Sequence, residues 1–227
     1  MTAALAALLV MAAGLTGHAA ASSEPKGAEF AVRWDPARGG PTNAAETLTF
    51  LGAADVPSER YEVQFYDLPA PHGAPPGATV ILRRRTAADG SAEIRLKYRS
   101  ASPIASWACP DPSFHAKAQV DVGFGADAPS RVDSYSCVLS AAQPPADLHA
   151  VPKRCVSQMV RYDAERSVGY KVEAWTLPDG STRLEVSRSA KNSVDELARF
   201  THLVERLAAR GVRPLEESKT ELGSHCP

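Results

Sequence analysis

The sequence predicts an α+β protein: an antiparallel sheet that closes, or nearly closes, into a barrel, with a few helices on its outside. Three observations predict it. Eight or nine short segments alternate apolar and polar side chains, the period of a strand with one buried face. Two pairs of these segments are joined by Asp-Gly turn signals, Asp89-Gly90 and Asp179-Gly180, which mark hairpins. Only two segments carry helical spacing, and no repeat of solenoid length occurs. A strand-rich chain of this kind disposes of its sheet edges most simply by closure.

Taken in order, residues 29–34 alternate as a strand and stop at Asp35-Pro36. Thr42 or Asn43 caps a helix over residues 44–51, ended by Gly52. Residues 61–66 are extended and lead into a loop, 67–77, rich in Pro and Gly. A basic hairpin follows, 79–85 with 93–99, and then a Pro/Ser segment holding Cys109. Residues 114–124 and 131–139 alternate again. The Pro/Ala-rich stretch 141–152 reads as a boundary or a long loop. Strands are expected over 156–162, 169–177 and 182–187, the last two as a hairpin. Asn192 or Ser193 caps a marked helix: Asp195 and Glu196 occupy its first turn, Leu197, Phe200, Leu203, Val204 and Leu207 form its apolar stripe, and Gly211 stops it. The polar tail 213–220 is expected to return along the sheet.

The 227 residues carry 25 Lys and Arg against 26 Asp and Glu, a formal charge of −1. With no global field to attract nucleic acid, no nucleic-acid partner is expected, and any anion site must be local. Residues 1–21 read as a secretory signal peptide: an apolar run over 3–11, then Ala19-Ala20-Ala21 before Ser22, without the usual n-region cation. The apolar run is short for a spanning helix, so no stable membrane insertion is expected once the signal is removed, and the location implied is periplasmic or secreted. Cys109, Cys137, Cys155 and Cys226 lack zinc-site spacing and form an even set in an exported chain. Two disulfides are expected, with one or more free thiols as the alternative. Three connectivities are open, and Cys109 with Cys137 plus Cys155 with Cys226 is the favoured one, since it would tether the C-terminal tail to the sheet.

The basic hairpin concentrates charge. Side chains two apart share a strand face, so Arg83 and Arg85 lie together, as do Glu93, Arg95, Lys97 and Arg99, and the hairpin brings both sets to one side. Such a face suits a polyanion; the alternative is the wet outer face of an ordinary sheet. Five of the six histidines, His72, His115, His149, His202 and His225, show no zinc or triad spacing. There is no G-x-S-x-G and no phosphate-cradling P-loop. Trp34, Trp107 and Trp175 are read as packing residues.

As a set, the motifs resemble the CYTH superfamily, the triphosphate tunnel metalloenzymes. The resemblance rests on Tyr61-Glu62-Val63-Gln64-Phe65-Tyr66-Asp67-Leu68-Pro69, then a Gly-rich loop, Leu82-Arg83-Arg84-Arg85, Ile94-Arg95-Leu96-Lys97, the acidic strand Leu184-Glu185-Val186, an amphipathic helix, and Ser218-Lys219 near the terminus. It implies an eight-stranded antiparallel tunnel over residues 28–222, followed by a short tail, 223–227. Its cationic lining would hold a small phosphate-rich anion, a nucleoside triphosphate or polyphosphate. On that mapping Arg33, Arg83, Arg85, Lys97 and Lys219 line the ligand site, with Arg95 and Arg99 on the same face as Lys97. Mg²⁺ or Mn²⁺ would be held by inward carboxylates, here Glu29 and Glu185. An active member would be a metal-dependent triphosphate hydrolase, because phosphoryl transfer needs cations around the phosphate oxygens and a hard metal on carboxylates.

This chain departs from the family at the acids. The first strand reads Glu29-x-Ala31-x-Arg33 where the family has Glu-x-Glu-x-Lys, so one metal carboxylate is missing. The middle strand gives Gln119-x-Asp121 for Glu-x-Glu, another gives Met159-x-Arg161 for Lys-x-Arg, and the last keeps only Glu185. Glu29, Asp121, Glu173 and Glu185 are the acids left for a weak metal site. Losing acids while keeping cations favours holding an anion over hydrolysing it. A non-catalytic structural domain on the same barrel, its cations tied up in salt bridges, is the third reading.

Overall fold

A computed structural model describes residues 24–69, 74, 77–103 and 108–227. The segment read as a signal peptide, together with His72 and Trp107, lies outside the described residues. In chain order the elements are β1 (Gly27–Trp34), α1 (Ala44–Leu51), β2 (Ser58–Asp67), β3 (Thr79–Ala87), β4 (Ala92–Ser100), β5 (His115–Phe124), β6 (Pro129–Ser140), β7 (Val151–Ala164), α2 (Glu165–Val168), β8 (Tyr170–Thr176), β9 (Thr182–Lys191), α3 (Val194–Ala208) and α4 (Lys219–Ser224).

The nine strands form a closed barrel in the order β1-β5-β6-β4-β3-β2-β7-β8-β9, with β9 returning to β1. Every neighbouring pair is antiparallel except β1 with β5. The expectation of eight antiparallel strands is therefore corrected to nine in a mixed sheet. The two departures have one cause: directions cannot alternate all the way around a ring with an odd number of members, so closure requires a parallel neighbour. The stretch 141–152 is a loop up to Ala150, where β7 begins at Val151, and Pro152 pairs opposite Tyr66 beside a register shift between Gln64 and Tyr66.

Strand alternation sorts the side chains into an inside and an outside. On one outer face Phe30, Val32, Trp34, Val122, Val172, Leu184 and Val186 are buried beneath Leu48 of α1 and Phe200, Leu203 and Leu207 of α3. Asn43 caps α1 by accepting from the Glu46 N–H, and Gly52 ends it at φ 78°, a left-handed conformation that glycine adopts without strain. Ser193 caps α3, and Asp195 and Glu196 complement its positive end. On the opposite outer face Leu82, Ile94, Leu96, Tyr98 and Cys137 pack under Phe114 and Leu148. Here the disulfide Cys109–Cys137 fastens a loop to β6.

One end of the interior is apolar: Val63, Phe65, Ile81, Met159, Trp175 and Leu177 cluster with Leu222 of α4. The tail returns to the sheet only briefly, through a bridge of Pro214 with Trp34 and the Leu215 N–H donating to the Arg33 carbonyl at 2.8 Å. It then turns into α4, whose start is fixed by a reciprocal capping box between Ser218 and Glu221. α4 runs through residue 223, the expected start of the tail. Ser157 donates to the Gly223 carbonyl at 3.0 Å, and Gly223 sits so near Phe65 that a Cβ there would lie 2.9 Å from the ring. The second disulfide, Cys155–Cys226, ties this end of the chain to β7. Both favoured cysteine pairings are present.

Candidate functional site

The barrel encloses a cavity of about 250 Å³, lined by ten Arg and Lys side chains and five carboxylates. That volume lies just below the ~300–1,000 Å³ usual for small-molecule sites. The charged face of the basic hairpin is therefore an inner wall. In register Arg83 lies opposite Arg95 and Arg85 opposite Glu93, so the strand-parity argument places all of them on one face, and that face lines the cavity. Arg33 from β1, Arg83 and Arg85 from β3, Arg95, Lys97 and Arg99 from β4, and Lys219 from α4 all line it, as does Glu29. Glu185 is 1% exposed and lies behind Lys219 and Arg33, outside the cavity wall.

The charges are unevenly paired. Across β1, β9, β8 and β7 the register aligns Arg33, Glu185, Glu173 and Arg161 in one row. Two carboxylates side by side on adjacent strands repel, and Lys219 reaches in from α4 between them, its Nζ 2.7 Å from Glu185 and 3.0 Å from Glu173. Arg161 donates to the other Glu173 oxygen through Nε at 3.0 Å and Nη2 at 2.8 Å. The Trp175 indole donates to Glu173 at 3.1 Å. Arg33 Nε lies 2.6 Å from Glu185 Oε2 as an ion pair whose N–H direction does not make a hydrogen bond. Burial works against the Glu173 charge, but Lys219, Arg85 and Arg161 outweigh it and hold its carboxyl well below the usual range.

A second paired cluster lies on β5, β1 and β4. The Gln119 amide donates at 2.8 Å to both Glu29 and Asp121. Lys97 lies 2.6 Å from Asp121 and 4.0 Å from Glu29, and Arg99 lies 2.9 Å from Asp121. Desolvation opposes ionisation of both acids, yet these partners, with Lys97 foremost, keep both carboxyls low. Lys97 is pushed down to about 8, because burial outweighs the support it draws from Asp121 and Glu29.

The β3 wall is different. Among the described residues Arg83 has no carboxylate within 4 Å; burial, then the charges of Arg85 and Arg95, pull its pKa down. Arg85 is 7% exposed, its nearest acid is Glu173 at 4.0 Å, and its Nε has no hydrogen-bond partner. Guanidinium does not give up its proton in proteins, so both charges stay in the wall despite the cost of burial. Lys117, also in the lining, was missed in the sequence. Its signal is the period of two that it shares with Gln119 and Asp121.

The residues fit a hard divalent cation poorly. Glu29 lies opposite Ser189 and Glu185 opposite Arg33 across the β1/β9 ladder, four residues or ~13 Å apart along the strands, so the two expected metal carboxylates are not brought together. Among the described residues no group of three or more His, Cys, Asp or Glu converges. The carboxylates that do pair, Glu173 with Glu185 and Glu29 with Asp121, are each bridged by an N–H donor.

Neither a protein-family model nor a curated protein sequence matches the chain. Solved structures do. HpAC1 from Hippeastrum, described as a candidate adenylyl cyclase with a dominant triphosphatase activity, aligns with a TM-score of 0.51 at 12% identity over 86% of this chain and 93% of that one. A candidate adenylate cyclase from Vibrio parahaemolyticus aligns at 0.43 and 12% identity over 89% of this chain and 100% of its own. The PH1012 protein from Pyrococcus horikoshii OT3 aligns at 0.47 and 15% identity over 86% and 98%. What is shared with HpAC1 is the fold. In this chain that fold is a closed barrel of nine strands.

Proposed function

We propose that this chain binds a phosphate-rich anion, a nucleoside triphosphate or polyphosphate, inside its tunnel, and that it does so as an exported protein. The observation that carries the reading is the pair Arg83 and Arg85: two guanidinium groups in the wall of an enclosed cavity, short of carboxylates, in a lining with twice as many cations as acids. Arg forks bind phosphate oxygens bidentately, and an enclosed site strengthens such contacts relative to water. The two disulfides suit an oxidising compartment and support export.

Isothermal titration with tripolyphosphate tests the reading. Saturable binding that weakens with added salt is expected. Binding that is absent, or indifferent to Arg83→Ala with Arg85→Ala, rejects it.

The fold shared with HpAC1, a protein described as having triphosphatase activity, favours a second reading, hydrolysis of the bound triphosphate. Phosphate release from tripolyphosphate that Arg83→Ala abolishes would support turnover. Stoichiometric binding with no release assigns the tunnel to holding its ligand.

A further inference from the structure

We propose that Lys219 is the built-in cation of the carboxylate row, so that this tunnel holds its anion without a divalent metal. The proposal rests on the anion-binding reading above and concerns how that site balances its charge.

Glu173 and Glu185 are buried, adjacent and directly opposed on β8 and β9. Two carboxylates in that arrangement must share a proton or a cation. The Lys219 ammonium meets one oxygen of each, at 3.0 and 2.7 Å. The remaining oxygens face Arg161 and Arg33. All four carboxylate oxygens thus face nitrogen cations, and three positive charges stand against two negative ones. Mg²⁺ or Mn²⁺ binding here would need several oxygen ligands at short range, Mg²⁺ at ~2.0–2.1 Å, and would first have to displace the ammonium. Lys219 is not a loose surface residue free to leave. It is the first residue of α4, behind the Ser218–Glu221 capping box, and α4 is held to the barrel by the Ser157–Gly223 hydrogen bond and the Cys155–Cys226 disulfide. The fold therefore delivers a cation to this position covalently.

Two titrations on the full chain test this, both in buffer stripped of metal by a chelating resin. In the first, tripolyphosphate is titrated with and without added Mg²⁺ or Mn²⁺; affinity that is equal or weaker with metal is expected, and affinity at least tenfold higher with metal overturns the proposal. In the second, Mn²⁺ alone is followed by electron paramagnetic resonance. Wild type is expected to leave Mn²⁺ free, whereas Lys219→Met, which exposes Glu173 and Glu185 to one another, is expected to gain a Mn²⁺ site that Glu185→Gln removes. Wild-type Mn²⁺ binding sensitive to Glu185→Gln overturns the proposal, as does a folded Lys219→Met protein with no gain. Absence of tripolyphosphate binding under every condition counts against the anion-binding reading, and the Mn²⁺ titration of wild type still decides the role of Lys219.

Discussion

The two sides of the tunnel use the same residue types to opposite ends. On the side built from β1, β9, β8 and β7, Arg33, Arg161 and Lys219 close on Glu173 and Glu185. On the side built from β3, Arg83 and Arg85 face the same cavity with an acid no nearer than 4.0 Å. The first side is a completed salt-bridge row and the second an incomplete one. The difference teaches that the number of cations in a wall does not give its uncompensated charge; the pairing of each cation does. The row also ties the tail to the barrel through Lys219, while Arg83 and Arg85 stay short of counter-charge.

The comparison predicts its largest effect in the row. Glu173→Ala strips a buried counter-charge from Arg161 and Lys219, and denaturant unfolding is expected to show a loss of about 3–5 kcal/mol. Arg83→Ala is expected to leave stability unchanged or raise it, because it relieves repulsion with Arg85 and Arg95. Equal losses from the two substitutions would break the distinction between the walls.

Next is the tether. Cys155 and Cys226 are 71 residues apart, and replacing both by Ser should lower stability by about 2–4 kcal/mol by removing a long-loop constraint from the unfolded chain. Because the tether holds α4, the same change should raise hydrogen exchange around Lys219 while sparing β3 and β4.

Third, Arg83→Ala with Arg85→Ala should weaken tripolyphosphate binding at least ~100-fold by calorimetry, the loss of two charge-assisted contacts of ~1.5–3 kcal/mol each. The melting temperature should hold.

The smallest effect concerns Lys97, whose pKa is lowered to about 8 from 10.5. Asp121, Glu29 and Arg99 are the charges facing it. Anion affinity should be flat below pH 7 and fall by up to ~tenfold between pH 7 and 9 as the ammonium deprotonates. The unfolded chain retains that proton up to higher pH, so the Lys97 contribution to stability should rise from about pH 8 to 10.5 while affinity falls. Lys97→Met should flatten both curves.

Much of the fold was legible because strand parity and turn chemistry are local. The alternation in 79–85 and 93–99 around Asp89-Gly90 yields the hairpin and its charged face, and the caps of α1 and α3 stand in the sequence at Asn43 and Ser193. The parallel pairing of β1 with β5 was not legible, since it joins residues 92 apart, such as Glu29 and Asp121, with no turn to announce it. α4 was hidden by its brevity and polarity, although Ser218 and Glu221 carry the capping-box spacing. At the site, the residue types could be read but their partners could not. Lys97 on β4 meets Asp121 on β5 with β6 between them, a contact set by barrel closure rather than by either strand. The same holds for Lys219, which only the path of the tail brings to Glu173 and Glu185.

The measurement that bears most directly on the central claim is a crystal structure of the protein grown with tripolyphosphate. Phosphate density inside the tunnel, in hydrogen-bonding contact with Arg83 and Arg85 and with the Lys219 bridge intact, is the predicted result. Density that avoids β3, or phosphate held through a metal seated between Glu173 and Glu185 with Lys219 displaced, would contradict it.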